Sequence, residues 1–208
     1  IIHLMHIFQV QRNSVNRRVM AKFFGEEWNY IQKKYEENCK MESDIKNHLP
    51  RLKSFGEECE HITEMGIREG LSTSALLVSK PKKYIGYDII EWPFMKKPLV
   101  LSCKKHIDLQ FIKADTRKIK IEETDLLMID THHCYQQLKE ELRLHSDKSK
   151  KYIIMHDTVT WAHKSQKLRI GKGRDAWSSG RHKIKPPFPK KGLWDALQEF
   201  LDGDGCKW

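Results

Sequence analysis

Asp130 and His133 stand three residues apart in "IDTHHCY", and His156 and Asp157 stand side by side in "MHDT", so the two acids are 27 residues apart. An imidazole titrates near neutral pH and can take a proton from a hydroxyl that is about to react, which makes His133 a candidate general base with Asp130 beside it. Two carboxylates brought together also suit a hard divalent cation with oxygen ligands, and Asp130 with Asp157 are the candidates. His132, His133 and His156 leave a second option open, because imidazole suits zinc, iron or nickel better than magnesium. A further set lies upstream in "EMGIREGLST": Glu64, Gly66 and Gly70 followed by Ser72 and Thr73, with Asp88 placed 24 residues after Glu64. Glycine allows positive φ and close approach of backbone to a ligand, Ser72 and Thr73 fall where a helix would start, and the later acid suits ribose hydroxyls. A dinucleotide pyrophosphate favours G-x-G-x-x-G, whereas Arg68 and Glu69 occupy the middle of this turn, which argues against a dehydrogenase.

These residues become one site only if the fold brings them together. Apolar runs of strand length occur at His61–Met65, Tyr84–Tyr87, Leu109–Ile112, Asp125–Ile129 and Tyr152–Met155, with helical pattern between them at Thr73–Ser79 and Gln136–His145. Alternation of that kind predicts an α/β domain with a doubly wound, mostly parallel sheet covered on both faces. Ligands in such sheets sit at the carboxyl ends of the strands, and those ends carry the Gly66–Gly70 turn, Asp88, Asp115, Asp130 and His156–Asp157. Ahead of the sheet, Phe23, Trp28, Ile31 and Tyr35 predict an amphipathic helix over about residues 16–41, laid on the outside of the domain. Residues 1–42 are therefore expected to form a helical accessory segment and residues 43–208 the main domain. In "SDIKNHLPRL", Ser43 or Asp44 caps a short helix that Pro50 resets.

"EMGIREGLSTSALL", "YIGYDI", "DLLMIDTHHCYQQLKEEL" and "KYIIMHDT", in this order and spacing, resemble class I S-adenosylmethionine-dependent methyltransferases. The resemblance is greatest to the branch with cephalosporin hydroxylase-like proteins and the macrocin and rhamnosyl O-methyltransferases. It covers roughly Ser43 to Leu201 and implies that Glu64, Gly66 and Gly70 form the cofactor loop, with Ser72 and Thr73 behind it. It further implies that Asp88 holds the ribose, that Asp115 and Thr116 lie near the adenine, and that Asp130 borders the cofactor. Relatives of the catechol O-methyltransferase type use acids at the Asp130 and Asp157 positions to hold Mg²⁺, which implies a divalent-cation site here with His156 as a further ligand. The D-x-x-H-x-Y pattern of the branch falls on Asp130, His133 and Tyr135. Two departures stand out: the glycine turn is thinner than the full form, and "CKW" leaves room for at most one short strand of the usual last antiparallel pair.

Of the chain's net charge of +10, the segment 162–192 carries +9, from ten Lys or Arg against Asp175 alone. With four glycines and three prolines it is expected to be a basic lid in which Arg169, Lys172 and Arg174 select an anionic acceptor. The same charge supports a second class of function, a nucleic-acid-binding protein or RNA methyltransferase, although a strand ending in His156-Asp157 lacks the lysine of ribose methyltransferases. A third class is a non-catalytic module that binds the cofactor alone. Five scattered cysteines without a CxxC pair fit a reducing, cytoplasmic setting. No apolar run approaches the roughly 20 residues that span a bilayer, and "IIHLMHIFQV" lacks the basic flank of a secretion signal. The chain opens without Met, as a piece of a longer protein would. The leading expectation is transfer of a methyl group to a hydroxyl of a sugar, glycan or other small polar acceptor.

Overall fold

In the computed structural model of the 208-residue chain, residues 6–9, 26–166 and 190–203 are described. Five parallel strands form the sheet: β2 (His61–Met65), β3 (Lys83–Asp88), β4 (Asp108–Lys113), β5 (Thr124–Ile129) and β6 (Ser149–Met155). Strand β1 (His6–Gln9) adds to the outer edge of β6 in antiparallel register, so that the order across the sheet is β1-β6-β5-β2-β3-β4. The chain winds outward from β2 to β4, then returns to β5 on the other side of β2. A crevice forms at such a reversal, between β2 and β5, at the carboxyl ends of both strands.

Because successive strand residues face opposite ways, each strand feeds two cores. Ile62, Tyr84, Leu126, Met128, Tyr152 and Ile154 point to one face and pack with α1 (Glu26–Lys40), α2 (Leu49–Gly56) and α3 (Leu71–Val78). Met65, Ile85, Leu127, Ile129, Ile153 and Met155 point to the other and pack with α5 (Tyr135–His145) and α6 (Leu193–Asp202). The strands are apolar on both sides for this reason, which is the doubly wound arrangement that the alternating runs predict. Helix α3 is buried from Ser72 to Val78, enclosed between the sheet and helices α1 and α2. A short helix, α4 (Pro98–Leu101), covers the β3–β4 side.

Three differences from the sequence reading concern the periphery. The expected helix over residues 16–41 is Glu26–Lys40 within the described residues, and Trp28 and Ile31 lie inside the core rather than on the outside. Asn38 donates to the Ser74 hydroxyl at 2.9 Å in a buried contact, tying α1 to α3. Residues His6–Gln9, placed by the sequence in a helical segment, form strand β1, and the antiparallel position beside β6 is thus taken from the amino-terminal side. The "CKW" strand at 206–208 and the basic residues 167–189 lie outside the described residues. Ile45 rather than Ser43 or Asp44 stands at the N-cap of the short 3-10 helix Lys46–His48, while Pro50 does reset the chain there, in the first turn of α2, where a ring without N–H is tolerated. No helix among the described residues is long and apolar enough to cross a membrane.

Candidate active site

Gly66 sits where β2 is pressed between its two neighbours. Its N–H donates to the Tyr87 carbonyl at 2.8 Å, and the Asp130 N–H donates to the Met65 carbonyl at 2.8 Å. A Cβ at Gly66 would lie 2.0 Å from the Asp130 carbonyl oxygen, and the residue has a φ of +90°, so only glycine lets the turn pass. Gly70 has a φ of +80° and a Cβ there would meet the Phe94 ring at 2.4 Å. Between them Arg68 takes a φ of +48°, a conformation that a residue with a Cβ adopts at a cost. The turn thereby delivers the chain from the carboxyl end of β2 to the start of α3.

Carboxylates fix this turn from both sides. Glu64 is fully buried and accepts from the hydroxyls of Thr73, at 2.7 Å, and Tyr84, in a short contact. Burial raises its carboxyl to about 7 against the opposing pull of those donors. Thr73 therefore points inward to Glu64, and Ser72 is buried beside it. Asp88, at the end of β3, accepts from the N–H groups of Ile67 at 2.9 Å and Arg68 at 3.0 Å through one oxygen, and of Ile90 at 2.8 Å through the other. A carboxylate has about four lone-pair sites, which leaves room for one further donor on the second oxygen. Asp115 caps the 3-10 turn Thr116–Lys118 and holds Arg117 through Nε and Nη2, both at 3.1 Å. Thr116 is buried, with its hydroxyl turned to Glu141.

At the far side of the crevice, β5 and β6 end together, with the His156 N–H bonded to the Ile129 carbonyl at 3.1 Å. The four residues singled out by chemistry meet here. His133 Nε2 lies 3.0 Å from Asp130 Oδ1 and 3.5 Å from Asp157 Oδ2. His156 Nδ1 lies 3.6 Å from Asp130 Oδ1 and 3.7 Å from Asp157 Oδ1. Burial works to raise the Asp130 carboxyl, but hydrogen bonds from His133 and His156 prevail and hold it well below the usual carboxylate range. Burial likewise opposes charge on His156, yet Asp130 and Asp157 outweigh it and carry that imidazole up to about 9. Asp157 has a φ of +58°, a strained geometry that aims its side chain back at the histidines. Trp161 stacks on His133 at 6.2 Å and 17°, and His48 meets the His156 ring edge-on at 5.5 Å.

This arrangement corrects the metal expectation for Asp130, Asp157 and His156. Each carboxylate looks at an imidazole, and His156 Nδ1 stands 3.6 Å from Asp130 Oδ1 and 3.7 Å from Asp157 Oδ1, where a hard cation shared by the two acids would have to lie. Among the described residues no group of three or more His, Cys, Asp or Glu side chains is arranged to hold a metal ion. The residues present do not fit a divalent cation.

The stem of the basic segment is fastened to the same place. Gln166 N–H donates to the His133 carbonyl at 2.7 Å, and Leu193 N–H to the Trp161 carbonyl at 2.8 Å. Ser165 receives the Tyr135 N–H and donates to the Lys191 carbonyl at 2.9 Å. Arg169, Lys172 and Arg174 lie outside the described residues. Tyr84, His48 and Glu141 were not singled out by the sequence, since each owes its place to a partner distant in the chain.

No protein-family profile matches the chain, and no curated protein is similar to it in sequence. Solved structures are similar in fold. A candidate O-methyltransferase from Klebsiella pneumoniae superimposes with a TM-score of 0.50 over 87% of this chain and 78% of that one, at 11% identity. The chain shares that protein's doubly wound, Rossmann-like fold. A Bacillus cereus O-methyltransferase in complex with S-adenosylhomocysteine matches over 65% of this chain and 68% of its own, with a TM-score of 0.43 and 14% identity. An S-adenosylhomocysteine-bound methyltransferase from Podospora anserina gives a TM-score of 0.43 at 16% identity, covering 62% of this chain, which spans 59% of that protein's length. Such identities speak to the fold and leave the reaction to be argued from the site.

Proposed function

We propose that this chain is an S-adenosylmethionine-dependent methyltransferase that methylates a hydroxyl of a sugar or other small polar acceptor. The observation that carries the reading is the placing of the Gly66–Gly70 turn, at the end of β2, beside the Asp130–His133 dyad at the end of the neighbouring β5. Residues 66–70 would receive the amino-acid end of the cofactor. Asp88, through its remaining acceptor capacity, would take one ribose hydroxyl, and the Asp115–Thr116 turn would border the adenine. The cofactor supplies the electrophilic methyl group when bound.

The protein's own task is to position the acceptor and take one proton. Asp130 is a poor base because its two imidazole partners stabilise its anion. It acts instead as the acceptor that fixes His133 with hydrogen on Nε2, which leaves the lone pair on Nδ1, a buried atom with no hydrogen-bond partner among the described residues, to which the acceptor would have to gain access. With the cofactor bound, His133 would take the proton of the acceptor hydroxyl whose oxygen receives the methyl group, and the cofactor would leave as S-adenosylhomocysteine. Asp157 and the His156 cation hold Asp130 in place from the opposite side. Arg169, Lys172 and Arg174, which follow in sequence, would favour an acceptor carrying phosphate or carboxylate.

Calorimetry with S-adenosylhomocysteine tests the cofactor half, and release of that product from S-adenosylmethionine across a panel of sugar and nucleotide acceptors tests the reaction. Micromolar or tighter binding followed by turnover that His133→Ala removes is the expected result. A chain that binds no cofactor sinks the reading, and one that binds it but turns over no acceptor is the silent module.

A further inference from the structure

Gln137, Glu141 and His145 follow one another at intervals of four along α5, so they share one face of the helix. That face is inward: Glu141 and His145 are fully buried. Buried carboxylates are costly unless their oxygens are satisfied, and Glu141 is satisfied by three donors from three places. Its Oε1 accepts from the Thr116 hydroxyl and, at 2.6 Å, from Gln137 Nε2, while its Oε2 accepts from the Thr131 hydroxyl at 2.8 Å. Gln137 Nε2 also donates to the Thr116 hydroxyl oxygen at 3.1 Å, and His145 Nε2 donates to the Thr116 carbonyl at 2.8 Å. Thr116 is thus held at side chain and backbone by three residues of one helix. Thr131 directly follows Asp130.

We infer that Glu141 is a positioning residue of the cofactor site, which sets the spacing between the Asp115–Thr116 turn and the strand end that carries Asp130. The two segments follow β4 and β5, which lie on opposite sides of β2 and β3, and no hydrogen bond of the sheet ladder joins them directly. Glu141 bridges them with one oxygen each. An apolar residue would fill the same volume without demanding three donors, so the carboxylate's value lies in the direction it imposes on both hydroxyls. Loss of the bridge frees the adenine-side turn and the Asp130 end to move separately.

The inference rests on the methyltransferase reading, and the test separates the two. S-adenosylhomocysteine and adenosine are titrated into the wild-type chain, Glu141→Gln and Thr131→Val at a temperature where circular dichroism shows all three folded. Glu141→Gln keeps size but turns one acceptor into a donor, and should weaken both ligands about tenfold. Thr131→Val releases the Asp130 end alone, and should weaken S-adenosylhomocysteine about threefold while adenosine stays near its wild-type affinity. A purely structural role would lower the unfolding midpoint without this split between ligands. Wild-type affinities for both ligands in both variants overturn the inference, whatever their midpoints. If Glu141→Gln does not fold, Thr131→Val decides: equal effects on the two ligands, or none, overturn it. No binding to the wild-type chain overturns the function reading first and this inference with it.

Discussion

Gly66→Ala places a methyl group against the Asp130 carbonyl oxygen at a φ that alanine rarely adopts, so the end of β2 must move away from β5. Steric overlap and backbone strain together predict a loss of about 2–4 kcal/mol in urea unfolding, together with loss of cofactor binding. His156 gives a prediction of the opposite kind, in which stability depends on pH. Its folded pKa of about 9 lies above the model-peptide value of about 6.5, so the folded state holds the proton more tightly. The contribution is complete below pH 6.5, fades as pH rises, and is gone above 9; its ceiling is about 3 kcal/mol. Glu64 and Glu141, raised by burial to about 7, act in a lower window, favouring the fold below about pH 4.5 and losing that effect as pH climbs to 7. Unfolding free energies measured between pH 7 and 9.5 should therefore fall for the wild-type chain and run flatter for His156→Gln. An equal slope in the two proteins would show that the imidazole is not charged in the fold.

Helix α1 behaves as part of the main core. Ile31 is fully buried in the cluster shared with α3 and the sheet, so Ile31→Ala should cost about 2–4 kcal/mol, on the scale of other large-to-small core changes, measured by urea unfolding at pH 7. A change below about 0.5 kcal/mol would mean that the helix only decorates the domain. At this scale the sequence is legible where a signal is local. Strand β2 lies at the predicted His61–Met65, and the other four parallel strands extend the predicted runs by one to three residues at an end. The strand-end acids are legible for the same reason, because each follows an apolar run within three residues. What escapes is set by partners far away in the chain. Strand β1 is four residues whose strand partner among the described residues is β6, far away in the chain, so "HIFQ" carries no pattern of its own. Asp88 reads in sequence as a ribose ligand, while the fold also engages one of its oxygens with the N–H groups of Ile67 and Arg68 in the glycine turn, a use that depends on β2 and β3 being neighbours. The metal expectation at Asp130 and Asp157 fails because sequence spacing does not tell which way the two histidines face. Glu141 reads as one more acid on an amphipathic helix until Thr116 and Thr131 are brought to it.

Charge and topology meet in the whole molecule. The chain's net charge of +10 leaves +1 outside the segment 162–192, so long-range attraction for an anion is concentrated in one stretch of chain. Its described flanks are Gln166, bonded to His133, and Lys191 and Gly192, packed against Ser165 and Trp161. A Cβ at Gly192 would lie 2.0 Å from the Trp161 carbonyl oxygen, so both ends are held close to the dyad by tight backbone packing. On the proposed reading, the basic side chains between those flanks serve the acceptor, whereas the glycine turn and Asp88, proposed for the cofactor, draw on other elements. Changing Arg169, Lys172 and Arg174 to Gln together should then leave the calorimetric affinity for S-adenosylhomocysteine within about twofold of wild type. The Michaelis constant for an anionic acceptor should rise, by about tenfold or more, and its dependence on salt should weaken, because charge-assisted contacts are lost while the transfer step is intact. A triple variant with wild-type acceptor kinetics but with binding to RNA or DNA removed would assign the segment to nucleic acid, and the acceptor would then be sought on the polymer rather than among free sugars.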